Sequence, residues 1–447
     1  MIKKLFSSQL RINMVSGVMA TAVNIVALAI AYPVYLHFLD YEIYGVWLIL
    51  ATVLTFAQLG NLGISSAVMK LVAEEHGRGN IKGIQSYVTT SLGILLVTGT
   101  LTLILILLFQ HQIISVFKLS GKNTVIALQL LPYIACLSVC VTLVQVLNAS
   151  VSGLGRMDLA NYILSGGRVI TVAISGILLL FGNGIKSLLI GNMLSWLLVG
   201  IVSTFFIRKT INIRLLRLGN LDTQCCKRIL CFGGGVFGGS VIGMFLSPFN
   251  KLMLSRYAGV SSIPIYDIAY NGSIQVRGLI EAGLRALMPE ISRISGNMTK
   301  QAKGRIAQIN RHAVKLIFLF GMPLYGGLII FLPILLRVWL GDRFVETIPG
   351  VFQIMLLGTF LSLLGVPAYY TLLGTGRVRH ILASHIVQSA VNVAIVASWV
   401  LTFSNISAGI IAFSVSVGMG VSTVYLIWQK RKACNQLASE IQKSEPI

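Results

Sequence analysis

The chain has 447 residues, of which 55% are hydrophobic and 11% charged, and its mean hydropathy is +0.85. A soluble domain carries about 25% charged residues, so a water-covered enzyme of this size is excluded, and the apolar content excludes a disordered chain. The net charge of +22, from 35 Lys and Arg against 13 Asp and Glu, has a membrane explanation: cytoplasmic loops collect Lys and Arg, so nucleic acid is not required as a partner.

Apolar stretches long enough to cross about 30 Å of hydrocarbon recur along the chain. In order they are predicted at residues 13–39, 44–70, 84–109, 125–150, 161–181, 186–207, 229–254, 263–288, 313–336, 350–373, 381–403 and 406–428. The expected fold class is an all-α polytopic membrane protein of about twelve transmembrane helices. The N-terminus, with Lys3, Lys4 and Arg11 ahead of a long apolar run and no small-residue cleavage site, reads as a retained first helix. Pro33, Pro132, Pro248, Pro323, Pro333 and Pro367 lie in or near the spans, where kinked or discontinuous helices are expected around a cavity.

Placement of cations orients the chain. With the N-terminus inside, the runs from Arg208 to Arg228 and from Arg293 to Arg311 fall on the inner side, while the outer turns hold few cations, Lys118, Lys122 and Arg256 among them. Both termini are therefore expected in the cytoplasm. The long basic segment also divides the chain: a six-helix half at 1–207, a basic cytoplasmic linker at 208–228, a second six-helix half at 229–428 and a cytoplasmic tail at 429–447. A weak repeat agrees. Gly153-Leu154-Gly155-Arg156 follows the fourth span and Gly374-Thr375-Gly376-Arg377 the tenth, and at the same offset Val172-Ala173-Ile174 matches Val393-Ala394-Ile395. Tyr41, Tyr44, Trp47 and Trp428 are expected as aromatic anchors at headgroup level.

Signals for catalysis are almost absent. No H-E-x-x-H, G-x-x-x-x-G-K-[ST] or G-x-S-x-G occurs. The glycines at 233–235 and 238–239 lack the Lys-Ser/Thr of a phosphate loop and read as a packing or bending element. The six cysteines form no C-x-x-C pair and read as reduced thiols. No cofactor or metal is expected, and the chain does not read as an enzyme.

Intramembrane charge is the informative feature, because an ionised group at mid-bilayer costs at least ~2.5 kcal/mol. In the eighth span Asp267, Asn271, Gln275, Arg277, Glu281 and Arg285 fall within an arc of about 160° at roughly 100° per residue. Such a face must meet water or other protein. Glu281 is one turn from both Arg277 and Arg285. Two readings stand: an intrahelical pair with Arg285 reaching the inner interface, or a wall that attracts an anion. Arg168 has no acidic residue in its own span; it reads as a cavity cation or as an ion-pair partner of Asp267 or Glu281. Lys251, near the outer end of the seventh span, reads as a cavity or an interfacial cation. Asn24, Asn271 and Gln275 are candidate hydrogen-bond partners for a polar ligand. Cations outweigh carboxylates here, which suits an anion such as a phosphate or pyrophosphate.

Several short stretches carry a family resemblance: Tyr44-Gly45-Val46-Trp47, Asn61-Leu62-Gly63-Ile64-Ser65-Ser66-Ala67, the Gly153 and Gly374 motifs, Asn250-Lys251, and Ser255-Arg256-Tyr257-Ala258-Gly259-Val260. Ile265-Tyr266-Asp267-Ile268-Ala269, Leu287-Met288-Pro289-Glu290 and Val338-Trp339-Leu340-Gly341 complete the set. In their order and spacing the chain resembles the polysaccharide flippases, O-antigen type, of the multidrug/oligosaccharidyl-lipid/polysaccharide exporter superfamily. The resemblance implies a fold like that of the multidrug exporters, a place in the bacterial inner membrane, and movement of a polyprenyl-pyrophosphate-linked glycan between leaflets. It also implies a cationic cavity for the headgroup and, as further partners, other membrane proteins of polysaccharide assembly. Arg168, Arg277 and Arg285 would then neutralise pyrophosphate, with Glu281, Asp267 and Lys251 in the same polar surface and Asn24, Asn271 and Gln275 on the sugars. Asn61 and Asn250 depart from the family, where Asp often stands. A multidrug cation antiporter and a membrane-bound glycan polymerase or transferase are the alternative functions.

Overall fold

A computed structural model describes residues 8–61, 63–119, 121–211, 222–284, 300–374 and 377–444. Among these residues every regular element is helical: α1 (Ser8–Ala57), α2 (Ile64–Gly77), α3 (Ile81–Leu108), α4 (Gln110–Val116), α5 (Lys122–Gly153), α6 (Met157–Leu180) and α7 (Lys186–Ile211). They continue with α8 (Thr223–Tyr257), α9 (Ser262–Leu284), α10 (Lys300–Leu316), α11 (Met322–Leu340), α12 (Thr347–Gly374), α13 (Val378–Phe403) and α14 (Ala408–Ser444). Nine stretches of the described residues are long and apolar enough to cross a membrane, Val15–Ala57 counting as one. The chain is an all-α, multi-pass membrane protein. Its exposed side chains agree: Phe181 is 78%, Val338 81% and Leu401 85% exposed, which hydrocarbon favours and water does not.

Helix α1 holds the predicted span 13–39 and the first part of 44–70, whose remainder lies in α2, beyond Gln58–Asn61. Fifty residues of straight helix would run about 75 Å, more than twice the hydrocarbon thickness. The break is at Asp40, whose φ of 59° and ψ of 168° are not helical. Tyr32 and Tyr44 flank it with ring centroids only 6.1 Å apart, although a straight helix would hold their Cα atoms about 18 Å apart. The chain therefore folds back at Asp40. Tyr44 and Trp47, expected as anchors at headgroup level, are buried, and the fold-back sets the Tyr44 ring against Tyr32 and Tyr35. Trp428 is exposed, with Lys432 Nζ 5.4 Å from its ring centroid.

By packing, the chain forms two compact units, Met1–Met244 and Phe245–Ile447. In the first, α2, α3, α5, α7 and the start of α8 share a core that includes Ile64, Val68, Tyr87, Leu95, Val146, Ile207 and Ile229. The Gly153 motif is a turn in this unit. A Cβ on Gly153 would meet the Met69 carbonyl at 2.7 Å, and Gly155, at φ 81°, reverses the chain. Arg156 then grips Asp158 with two hydrogen bonds of 3.0 Å. In the second unit α12 packs against α9 and α14, and α13 against α14. The predicted linker lies partly outside the described residues, as do Arg285, the Leu287–Glu290 stretch and part of the Gly374 motif.

Candidate functional site

In the first unit, three helices each offer a stripe to one cavity of about 410 Å³. The stripe of α1 is Asn24, Leu28, Ala31 and Tyr35; that of α6 is Leu164, Gly167, Arg168, Thr171 and Val172; that of α7 is Asn192, Ser195, Trp196 and Val199. Spacings of three and four residues place each set on a single helix face. Close approach of α6 and α7 depends on glycine: a Cβ on Gly191 would strike Ser175 Oγ, and one on Gly167 would strike Val199.

Arg168 stands at the middle of the 24 residues of α6. Among the described residues no carboxylate forms an ion pair with it, and no acidic side chain lines the cavity. Asn24, expected as a ligand group, shares this cavity with Arg168. Ser195 Oγ is buried here without a hydrogen-bond partner. Tyr35, Thr171, Asn192 and Trp196 join the site as well, and sequence reasoning missed them. The available signal was the three- and four-residue spacing around Arg168 and Asn192.

The second unit pairs Lys251 and Arg277 with carboxylates. Lys251 Nζ on α8 is 2.7 Å from Asp267 Oδ1 on α9, with both side chains nearly withdrawn from solvent. Arg277 Nε is 3.3 Å from Glu281 Oε2 one turn along α9, and the Tyr370 hydroxyl lies 3.5 Å from Glu281 Oε1. Of the two readings of Arg168, the ion pair with Asp267 or Glu281 is not found: Asp267 pairs with Lys251 and Glu281 with Arg277. Lys251 is no interfacial cation either, since it is buried on Asp267. Asn271 and Gln275 are half-buried on α9.

Both departures from the family's aspartates are tied into amide networks. Asn250 Nδ2 donates to the Tyr266 hydroxyl (3.1 Å), and its Oδ1 accepts from Asn392 Nδ2 (2.9 Å). Asn392 Oδ1 in turn accepts from Ser414 Oγ (2.8 Å). Asn61 sits in the break between α1 and α2. Its Oδ1 accepts from the Ser65 N–H (3.1 Å), and its Nδ2 donates to Ser65 Oγ and Gln145 Oε1 (2.9 and 3.0 Å). An amide both gives and takes at these knots, where a carboxylate only accepts.

Residues 11–295 match the family described as polysaccharide biosynthesis proteins. The chain belongs to that family. This polysaccharide biosynthesis protein is 21% identical over 407 residues to a protein of Shigella flexneri whose name provisionally assigns it as an O-antigen transporter; the match covers 88% of this chain and 91% of the relative. In fold it is similar to the lipid II flippase MurJ in an inward closed conformation, with TM-score 0.76, 15% identity, and 96% and 90% of the two chains covered. It is also similar to an inward-facing multidrug resistance MATE transporter of the MOP superfamily, with TM-score 0.68, 15% identity, and 99% and 97% covered. These likenesses place the polysaccharide biosynthesis protein in the MOP fold.

Proposed function

We propose that this protein is a flippase for a lipid-linked glycan. It carries a polyprenyl-pyrophosphate-linked oligosaccharide, a repeat unit of O-antigen or another surface polysaccharide, from the inner to the outer leaflet of the bacterial inner membrane. Both termini lie in the cytoplasm, and access alternates between the two sides. A charged sugar headgroup does not cross hydrocarbon unaided, because burying polar groups without partners costs several kcal/mol each. A cavity that supplies a cation and hydrogen-bonding side chains lowers that barrier.

The observation that carries this reading is Arg168, a mid-helix guanidinium without a carboxylate partner among the described residues, in a cavity of amide, hydroxyl and aromatic side chains. Arginine grips phosphate oxygens in bidentate fashion; Asn24, Thr171 and Asn192 offer partners to sugar hydroxyls, and Trp196 a face for a ring. Arg277 of the second unit, its charge tempered by Glu281, is a further candidate cation, and Arg285 lies outside the described residues. Asn271 and Gln275 add amides on the same helix. The family match and the name of the Shigella relative support the same reading. A cation antiporter would need an acidic residue on the cavity wall, and this cavity has none.

The test is transport of a radiolabelled polyprenyl-pyrophosphate oligosaccharide in proteoliposomes, beside the leaflet position of repeat units in cells. Arg168→Ala is expected to insert at the normal level, to flip at a small fraction of the wild-type rate, and to leave repeat units on the inner leaflet. Wild-type flipping by that variant defeats the assignment.

A further inference from the structure

Helix α10 divides its surface sharply into a cationic side and a buried side. Arg305, Gln308, Arg311, His312 and Lys315 are exposed, and at roughly 100° per residue they fall on one side. Ile306, Asn310, Ala313 and the following Ile317 are buried on the opposite side, where α10 packs on α12 and α14. Asn310 Nδ2 fixes the register by donating to Thr371 Oγ1 at 3.0 Å. The cationic face is therefore held rigidly outward and is not a loose loop.

The helix continues without interruption, through a widened turn at Ile317–Gly321, into the apolar α11. Exposed residues change character at one point. Up to Lys315 they are basic or polar apart from the small Gly304 and Ala307; from Leu316 onward they are Leu316, Phe318, Leu319, Phe320 and Met322. A side that is cationic below this boundary and hydrocarbon-like above it crosses the headgroup level of a bilayer beside Lys315. The stripe from Arg305 to Lys315 extends about 15 Å along the axis. No Asp or Glu occurs from Lys300 to Gly341, none occurs in α12, and α14 holds only Glu440, so neither this helix nor α12 supplies a carboxylate to the stripe.

We propose that the exposed face of α10 is a binding site for acidic phospholipid headgroups of the leaflet that meets Lys315, the cytoplasmic leaflet by the placement of charge. Arg311 and Lys315, one turn apart, bracket one phosphodiester, while the acyl chains lie along Leu316 and Leu319. Each basic side chain near an anionic surface changes affinity about fivefold. The claim concerns lipid alone and stands whatever the cavity of the first unit carries.

Purified full-length protein is titrated with phosphatidylglycerol or phosphatidylcholine, and bound lipid is counted by native mass spectrometry. The wild type is expected to hold phosphatidylglycerol roughly tenfold more tightly than phosphatidylcholine, and Arg311→Gln with Lys315→Gln to lose most of that preference. Arg208→Gln with Lys209→Gln, which removes the same charge from the exposed end of α7, is expected to retain it. Melting temperatures of all three proteins establish that they are folded. Equal retention of the two lipids by the wild type overturns the proposal. So does an equal loss in the α7 variant, which would mean general attraction to a positive protein. Displacement of phosphatidylglycerol by equimolar polyprenyl pyrophosphate overturns it too, because the surface would then belong to the transported lipid.

Discussion

Lys251 and Asp267 neutralise each other in the interior of the second unit, Nζ to Oδ1 at 2.7 Å, with 11% and 6% of their side chains exposed. Withdrawing two charges from water is costly, and removing only one partner is worse, since it strands the other. Lys251→Met or Asp267→Leu alone is expected to destabilise by about 3–5 kcal/mol, whereas the two together recover most of the loss. Melting in detergent of the two single variants and the double checks this. A double variant as unstable as the singles would show that the pair is not held by mutual neutralisation.

Asn250 is expected to resist replacement by aspartate. Its Nδ2 donates to the Tyr266 hydroxyl and its Oδ1 accepts from Asn392; a carboxylate abandons the donation and adds a negative charge at a fully buried position. Asn250→Ala leaves the Asn392 amide without its acceptor, at a cost of about 1–3 kcal/mol, and Asn250→Asp should cost at least as much. Urea denaturation of the two variants, side by side, measures the order.

Ser195 offers a separation of stability from transport. Its hydroxyl is buried on the cavity wall without a hydrogen-bond partner, so Ser195→Ala removes an unsatisfied group and should leave the melting temperature unchanged or raise it. If that hydroxyl serves the transported headgroup, the apparent KM for lipid-linked glycan rises in the same variant. A fall in stability would show that the hydroxyl is satisfied within the protein.

Gly191→Ala places a methyl group on Ser175 Oγ and forces α6 from α7. The expected cost is about 1–3 kcal/mol, with slower transport because the cavity stripes move apart. Adding Ser175→Gly should restore much of both. Absence of rescue in the double variant would place the strain elsewhere.

Cys225 and Cys226 should differ in thiol chemistry. Cys225 lies in the first turn of α8, where burial, aided by the neighbouring Asp222 carboxylate, pushes its thiol up to about 11. Asp222 itself is held below the usual carboxylate range by the Gln224 N–H, which donates to it at 2.8 Å, and so it is charged at neutral pH. Only thiolate reacts with alkylating agents. Between pH 7 and 9 Cys225 should label far more slowly than Cys226, its rate still climbing toward pH 10. Rates read by peptide mass spectrometry decide the matter, and equal rates would count against the assignment.

Composition and hydropathy by themselves determined the class of this protein, because hydrocarbon imposes a length and an apolar character on every segment that crosses it. The same local geometry made the Arg277–Glu281 pair readable, since residues four apart on a helix must be neighbours. Contacts between helices were not readable. Asn250 meets Asn392 across a separation of 142 residues, Lys251 finds Asp267 on the next helix, and Arg168 shares a cavity with Asn24, Asn192 and Trp196. Those meetings depend on the register and crossing of helices, which small residues such as Gly167 and Gly191 decide by how closely two backbones approach. Sequence alone counts the charges inside the membrane; only packing decides which of them are paired and which face open space.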